Sequence, residues 1–275
     1  MLEVGKFYEL EIIKESEFGL YLDGDNLGEI LLPHKEVPEN YELNDKLKVF
    51  LYRDTKDRIT ATLKTPFAEL DDIAYLKVVD ITKIGAFMDL GLDKHLFLPF
   101  PEQKKPVELN EYYIVKILLD DKDRLIASTI IDDFIDNSEH DLKENEKVNV
   151  IIYRITEMGY LSIINNRFYG ILYKNEVFRK LNVGDKLSVF VKKLRKDEKI
   201  DLMINNPDVK RFDEFSELVL NRLKQDGNLN ITDKSSPEDI YKEFKMSKKN
   251  FKKAVGALYK KRLIKIEKNQ ILLIK

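Results

Sequence analysis

The chain has no cysteine among its 275 residues. Disulfides are therefore excluded, and so are metal sites built on thiolates. Histidine is scarce: His34, His95 and His140 stand apart, match no ligand or catalytic spacing, and read as surface residues. No apolar run approaches the ~18 residues of a membrane span, and no apolar stretch follows a basic segment near Met1. A cytoplasmic protein with no membrane association is the expectation. Phosphate loops, dinucleotide fingerprints and nucleophile elbows are missing as well. The acidic pairs Asp71-Asp72, Asp120-Asp121 and Asp132-Asp133 read as turns and linkers rather than magnesium ligands. No catalytic residue, cofactor or metal site is expected, and hence no enzyme.

What the chain does have is a pattern written three times. Gly19, Gly85 and Gly159 each sit at or beside an apolar, strand-like run. Seventeen residues after each comes a glutamate: Glu36, Glu102 and Glu176. A further apolar stretch begins 40, 40 and 41 residues past the glycine, at Ile59, Leu125 and Ile200. Each follows an acidic-basic pair: Asp57-Arg58, Asp123-Arg124 and Glu198-Lys199. The spacing divides the chain into three copies of one small domain, residues 1–65, 66–135 and 140–206, and a different C-terminal domain, 210–275. Units of roughly 65–70 residues are near the lower limit for independent folding and gain from neighbours.

Within the first copy, Phe7–Ile13 alternates, with Tyr8, Leu10 and Ile12 on one face. Phe18–Leu22, Ile30–Leu32, Leu47–Tyr52 and Ile59–Thr62 supply four more short strands, and 23–26 and 54–57 are turns. Five short strands suit a small closed barrel, which leaves no exposed edge. The fold class expected is mainly β, three five-stranded barrels, with an α+β domain at the C-terminus.

The segment 84–90, Ile-Gly-Ala-Phe-Met-Asp-Leu, resembles the glycine-small-aromatic second strand of the S1 RNA-binding domain, an OB-fold barrel. Residues 170–177, Gly-Ile-Leu-Tyr-Lys-Asn-Glu-Val, resemble its third strand and following turn. Three such copies ahead of a basic helical domain resemble the conserved virulence factor B (YitL-like) family of bacterial proteins, three S1 modules followed by a winged helix. That resemblance implies RNA binding and post-transcriptional regulation of gene expression.

Barrels of this type hold single strands by stacking bases on aromatics beside a basic groove. Phe18 and Tyr21 are the aromatic candidates in copy one and Phe87 in copy two. In copy three Leu161 takes the strand-two place, with Tyr160 beside it and Tyr173 on strand three. S1 domains often place a histidine at a strand-three position whose equivalents here are Pro33, Pro99 and Tyr173. Only Tyr173 can stack or hydrogen-bond. Charge separates the copies further. The turn before the last strand is Asp54-Thr55-Lys56-Asp57 in copy one, Asp120-Asp121-Lys122-Asp123 in copy two and Arg195-Lys196-Asp197-Glu198 in copy three. Lys174, Lys192 and Lys193 lie nearby. Net charge runs −5, −6, +1 and +8 across residues 1–64, 65–135, 136–208 and 209–275. A polyanion is drawn to the C-terminal end.

After Pro207 the period changes. Phe212, Phe215, Leu218, Val219 and Leu223 mark a helix of about 14 residues. Ser236 caps a second, with Pro237 at its first position, and Ser247 a third, running to about Arg262. The runs 263–266 and 270–274 flank Glu267-Lys268-Asn269 as a hairpin, completing a winged-helix pattern. The third helix has the recognition-helix position. Lys249, Lys252, Lys253, Lys260 and Arg262, with Lys248 and Lys261, form a cationic face suited to phosphates more than to base edges. Single-stranded RNA is the expected ligand, bound with low sequence specificity by the third barrel and the winged helix as one basic surface. Two alternatives stay open. One is a DNA-binding transcription regulator working through the winged helix. The other is a module that docks the ribosome or RNA-processing proteins through its acidic N-terminal barrels.

Overall fold

The computed structural model describes residues 1–177, 179–204, 211–267 and 269–274, the side chains of 211–214 excepted. Pro207, the side chain of Phe212 and Lys268, and the limits set at 206 and 210, lie outside the described residues.

The first copy folds as β1 (Phe7–Ser16), β2 (Gly19–Asp23), β3 (Glu29–Pro33), β4 (Lys46–Arg53) and β5 (Ile59–Thr62), closed in the order β1-β2-β3-β5-β4. Antiparallel pairing of β1 with β4 closes the barrel, and β3 runs parallel to β5. The period of two fills the interior: Leu10, Ile12, Leu20, Leu22, Ile30, Leu32, Val49, Leu51 and Ala61 form one core. The second copy repeats the order with β6 (Ile73–Ile81), β7 (Gly85–Met88), β8 (Leu96–Pro99), β9 (Tyr112–Leu119) and β10 (Leu125–Ser128). The third does so with β11 (Lys147–Ile155), β12 (Gly159–Ile164), β13 (Phe168–Tyr173), β14 (Lys186–Leu194) and β15 (Ile200–Met203).

The repeated glycines have a steric cause. Each opens the second strand of its barrel opposite the strand-three residue Pro33, Pro99 or Tyr173. A Cβ there would lie 2.0, 2.5 and 2.1 Å from the carbonyl oxygens of Leu32, Leu98 and Leu172. Gly19 and Gly85 also hold φ of +137° and +153°. A second position recurs with no residue type common to all three copies. Asn44, Asn110 and Gly184, each 25 residues past its glycine, adopt left-handed backbone. Each donates its N–H to the first strand, at Ile12, Val78 and Ile152. The first strands also slip register at matching places, past Ile13, Val79 and Tyr153. These bulges bend each strand round its barrel.

The chain divides into two compact units, Met1–Asp136 and Asn137–Lys275. In the first, Phe50 and Tyr52 of β4 belong to the buried cluster of barrel 2, with Leu90, Leu92 and Leu96. Barrels 1 and 2 therefore share core.

The C-terminal domain comprises α1 (Arg211–Asp226), β16 (Asn228–Leu229), α2 (Pro237–Phe244), α3 (Lys248–Lys260), β17 (Ile264–Ile266) and β18 (Ile271–Leu273), with sheet order β16-β18-β17. Ser236 caps α2 by accepting from the Asp239 N–H, and Ser247 caps α3 by accepting from that of Asn250. Phe251, Ala254, Val255 and Leu258 of α3 are buried with Val219 and Leu223 of α1. The two-residue β16 was not anticipated, being too short to show a period. One expectation is corrected: α3 stops at Lys260, and Arg262 sits in the turn beyond it at φ 56°. The chain reverses there into β17, with the Arg262 and Leu263 N–H groups donating back to Tyr259 and Leu258.

Candidate nucleic-acid interface

On barrel 3 the side chains that leave the core side of β12 and β13 build a groove. Phe168, Gly170 and Leu172 face inward and are buried, so Tyr169, Ile171 and Tyr173 face outward. With Met158, Leu161, Arg195 and Lys199 they line a concavity of about 730 Å³. Tyr173 donates its hydroxyl to Asp201 Oδ1 at 3.1 Å and receives Arg195 Nη1 at 3.4 Å. Its ring is thereby held at the groove wall. Tyr169 stacks on Tyr153, ring centroids 5.7 Å apart and 26° between planes. The Asn137 side chain accepts from the Tyr169 N–H at 2.7 Å and donates to its carbonyl at 2.9 Å, imitating a neighbouring strand.

The turn ahead of the last strand separates the copies. Asp54, Asp120 and Arg195 are equivalent, because each donates its N–H to the carbonyl of the residue four further on, at 2.9 Å. In barrels 1 and 2 the two residues form a charge-neutralised pair: Arg58 grips Asp54 through Nε and Nη2, and Arg124 grips Asp120 likewise. In barrel 3 both places carry cations, Arg195 and Lys199. They share Asp197, at 3.1 and 3.0 Å, and Arg195 also lies 3.9 Å from Asp201. The hydrogen bond from Lys199, with the Arg195 charge behind it, holds the Asp197 carboxyl below its usual range.

Of the expected residues, Tyr173 and Arg195 line this groove. Tyr160 does not: β12 places it on the face of the buried Ser162 and Ile164, and it packs against the barrel core. The stacking role expected of Tyr160 is corrected accordingly. Lys192 is paired with Glu176, so its charge is already offset. Lys174, Lys193 and Lys196 are exposed and make no ion pair among the described residues. Tyr169, Tyr153, Asn137, Met158 and Lys199 were missed. The alternation of Tyr169 with Tyr173 was a readable signal; the roles of Asn137 and of the bulged Tyr153 left none. His140, expected at the surface, is half-buried with its ring edge-on to Phe168.

The aromatics of the other barrels are differently placed. Tyr21 carries the Lys14 ammonium over its ring, 4.5 Å from the centroid. Phe87 packs against Phe97 at 5.2 Å. Phe18 remains 61% exposed and lines, with Tyr21, a concavity of about 560 Å³ on barrel 1. On the winged helix, Lys249, Lys252, Lys253, Lys260 and Arg262 are all exposed and make no ion pair among the described residues. No helix among those residues is long and apolar enough to cross a membrane.

Barrels of this strand order, followed by three helices and a small sheet, define a tandem S1-type barrel protein ending in a winged helix. The S1 domain model matches residues 4–64, and the CvfB-like winged helix domain model matches residues 217–273. The chain is a relative of the conserved virulence factor B proteins along nearly its whole length. It is 29% identical to Conserved virulence factor B of Staphylococcus epidermidis, over 99% of this chain and 95% of that protein. It is 28% identical to the uncharacterized protein YitL of Bacillus subtilis, over 93% and 89%. A crystal structure of a multidomain protein with nucleic acid binding domains from Streptococcus pneumoniae TIGR4 aligns over 98% of both chains, at 23% identity and a TM-score of 0.42. The two matched domain types suggest nucleic-acid binding.

Proposed function

We propose that the chain is a non-enzymatic RNA-binding protein, a post-transcriptional regulator that holds single-stranded RNA through barrel 3 and the winged helix. The observation that carries this is the barrel 3 groove. Among the three equivalent turns, it is the one in which both paired places are cations, Arg195 and Lys199, beside outward-facing tyrosines, where barrels 1 and 2 set an Arg-Asp pair. Bases stack on Tyr173 and Tyr169, while Arg195, Lys199 and Lys196 meet phosphates. The lysines of α3, with Lys174 and Lys193, add sequence-independent phosphate contacts. Binding of a labelled single-stranded RNA to the full chain tests this. Tyr173→Ala should cost about 1–3 kcal/mol if a base stacks there. Unchanged affinity in both Tyr173→Ala and Arg195→Glu would overturn the assignment.

A second reading is favoured by α3 itself, exposed and cationic at the place where a helix-turn-helix reads duplex DNA. Competition between duplex DNA and single-stranded RNA separates the two. The acidic barrels would then serve as the docking arm for ribosomal or RNA-processing proteins. The exposed ring pair Tyr75–Tyr112 on barrel 2, 5.3 Å between centroids, supports that role.

A further inference from the structure

Barrel 1 has a groove in the same place as barrel 3, lined by Phe18, Tyr21, Lys35, Lys56 and Arg58. Its outer wall is not its own. Asp93 and Lys94, from the loop between β7 and β8 of barrel 2, complete it. Asp93 accepts from Lys35 through Oδ2 and from Lys64 through Oδ1, so one carboxylate bridges two barrel 1 lysines with both its oxygens. That is the contact a nucleic-acid phosphate would make with the same pair. The loop is fixed from a second direction too: Lys94 Nζ donates to the Asp54 carbonyl at 2.9 Å. The turn between β9 and β10 adds a separate tie between the two barrels, with Arg53 Nε donating to the Asp123 carbonyl at 3.0 Å.

We infer that barrel 1 holds a second single-strand groove, closed in cis by Asp93 acting as an internal phosphate mimic. Phe18 is the base platform left open, while Lys35 and Lys64 are the phosphate pair already occupied. Lys35 keeps its charge, since the hydrogen bond to the Asp93 carboxylate raises its ammonium further above its ordinary range. Asp93, held by hydrogen bonds from Lys35 and Lys64, is lowered to about 2, so near neutral pH the block does not titrate away. A strand opens the groove only by displacing that carboxylate, or when a partner draws the loop aside. Barrel 1 is then a reserve site rather than an inert spacer.

The test uses the full chain and a labelled oligouridylate. It is made in a background in which Tyr173→Ala and Arg195→Glu disable the barrel 3 groove, so that the fate of the proposed function does not decide this one. Asp93→Asn keeps the shape and frees both lysines. Binding should rise about fivefold at low salt, and the log-log salt slope should steepen by about 1.4, two single-strand phosphate contacts at about 0.7 each. Asp121→Asn, an exposed carboxylate of the same unit, removes the same charge elsewhere and should give only the small low-salt rise that net charge alone produces, with no change of slope. Lys35→Ala or Phe18→Ala added to Asp93→Asn should abolish the gain. Thermal melts of each variant confirm a folded chain. No gain with Asp93→Asn, an equal gain with Asp121→Asn, or a gain that survives Lys35→Ala and Phe18→Ala overturns the inference.

Discussion

A methyl group at Gly159 has nowhere to go. Its Cβ would sit 2.1 Å from the Leu172 carbonyl oxygen, and backbone, unlike a side-chain tip, cannot swing aside. Gly159→Ala should therefore destabilise barrel 3 by about 2–4 kcal/mol, read from urea unfolding, and Gly19→Ala should do the same to barrel 1. The same constraint explains why the threefold spacing was legible: three positions that admit only glycine mark each strand two. The aromatic roles were less legible, because two adjacent residues on a strand face opposite ways and the register decides which is inside. Tyr160 went inward and Leu161 outward. Tyr160→Ala should accordingly lower stability by about 2–4 kcal/mol with little loss of RNA affinity per folded molecule. Tyr173→Ala should do the reverse. Calorimetry paired with a binding titration on the two variants distinguishes these behaviours.

At the scale of elements, helix caps announce themselves and short strands do not. Ser236-Pro237 and Ser247 were read correctly because capping is a local interaction between a hydroxyl and an N–H three residues on. The two-residue β16 depends on β18, more than 40 residues away, and no local pattern records it. Capping also bears on binding. The first turn of α3 carries Lys248 and Lys249 and no acidic residue, opposing the helix dipole. An anionic ligand, on the proposed reading, would offset that repulsion. Charge reversal of Lys249, Lys252 and Lys253 together should weaken RNA binding whatever the sequence. The log-log salt slope should become shallower by as much as ~2, at about 0.7 per lost contact. Ser247→Ala should instead cost about 1 kcal/mol of domain stability and leave that slope in place. A slope untouched by the triple reversal would remove α3 from the interface.

Across the whole molecule the two compact units carry opposite charge. Residues 1–136 hold 17 Lys+Arg against 29 Asp+Glu, net −12, and residues 137–275 hold 30 against 20, net +10. The acidic unit spends many of its cations internally, on Asp54, Asp93, Asp120 and Asp132. It therefore presents a field that repels RNA even where its barrels have the right shape. Such a field reaches as far as ions allow, about 30 Å at 0.01 M salt and about 8 Å at 0.15 M. Tethered to the basic unit, it should tax RNA binding most at low salt. Residues 137–275, whose barrel and winged helix each have a core of their own, provide the comparison. At 0.01 M salt the separate basic unit should bind single-stranded RNA several-fold more tightly than the full chain, and the two affinities should converge toward 0.15 M. If the full chain binds more tightly at every salt concentration, the N-terminal barrels contribute contacts that outweigh their charge. If the ratio stays constant with salt, the difference between the two proteins is not electrostatic, and repulsion by the acidic unit does not account for the proposed preference of RNA for the C-terminal half.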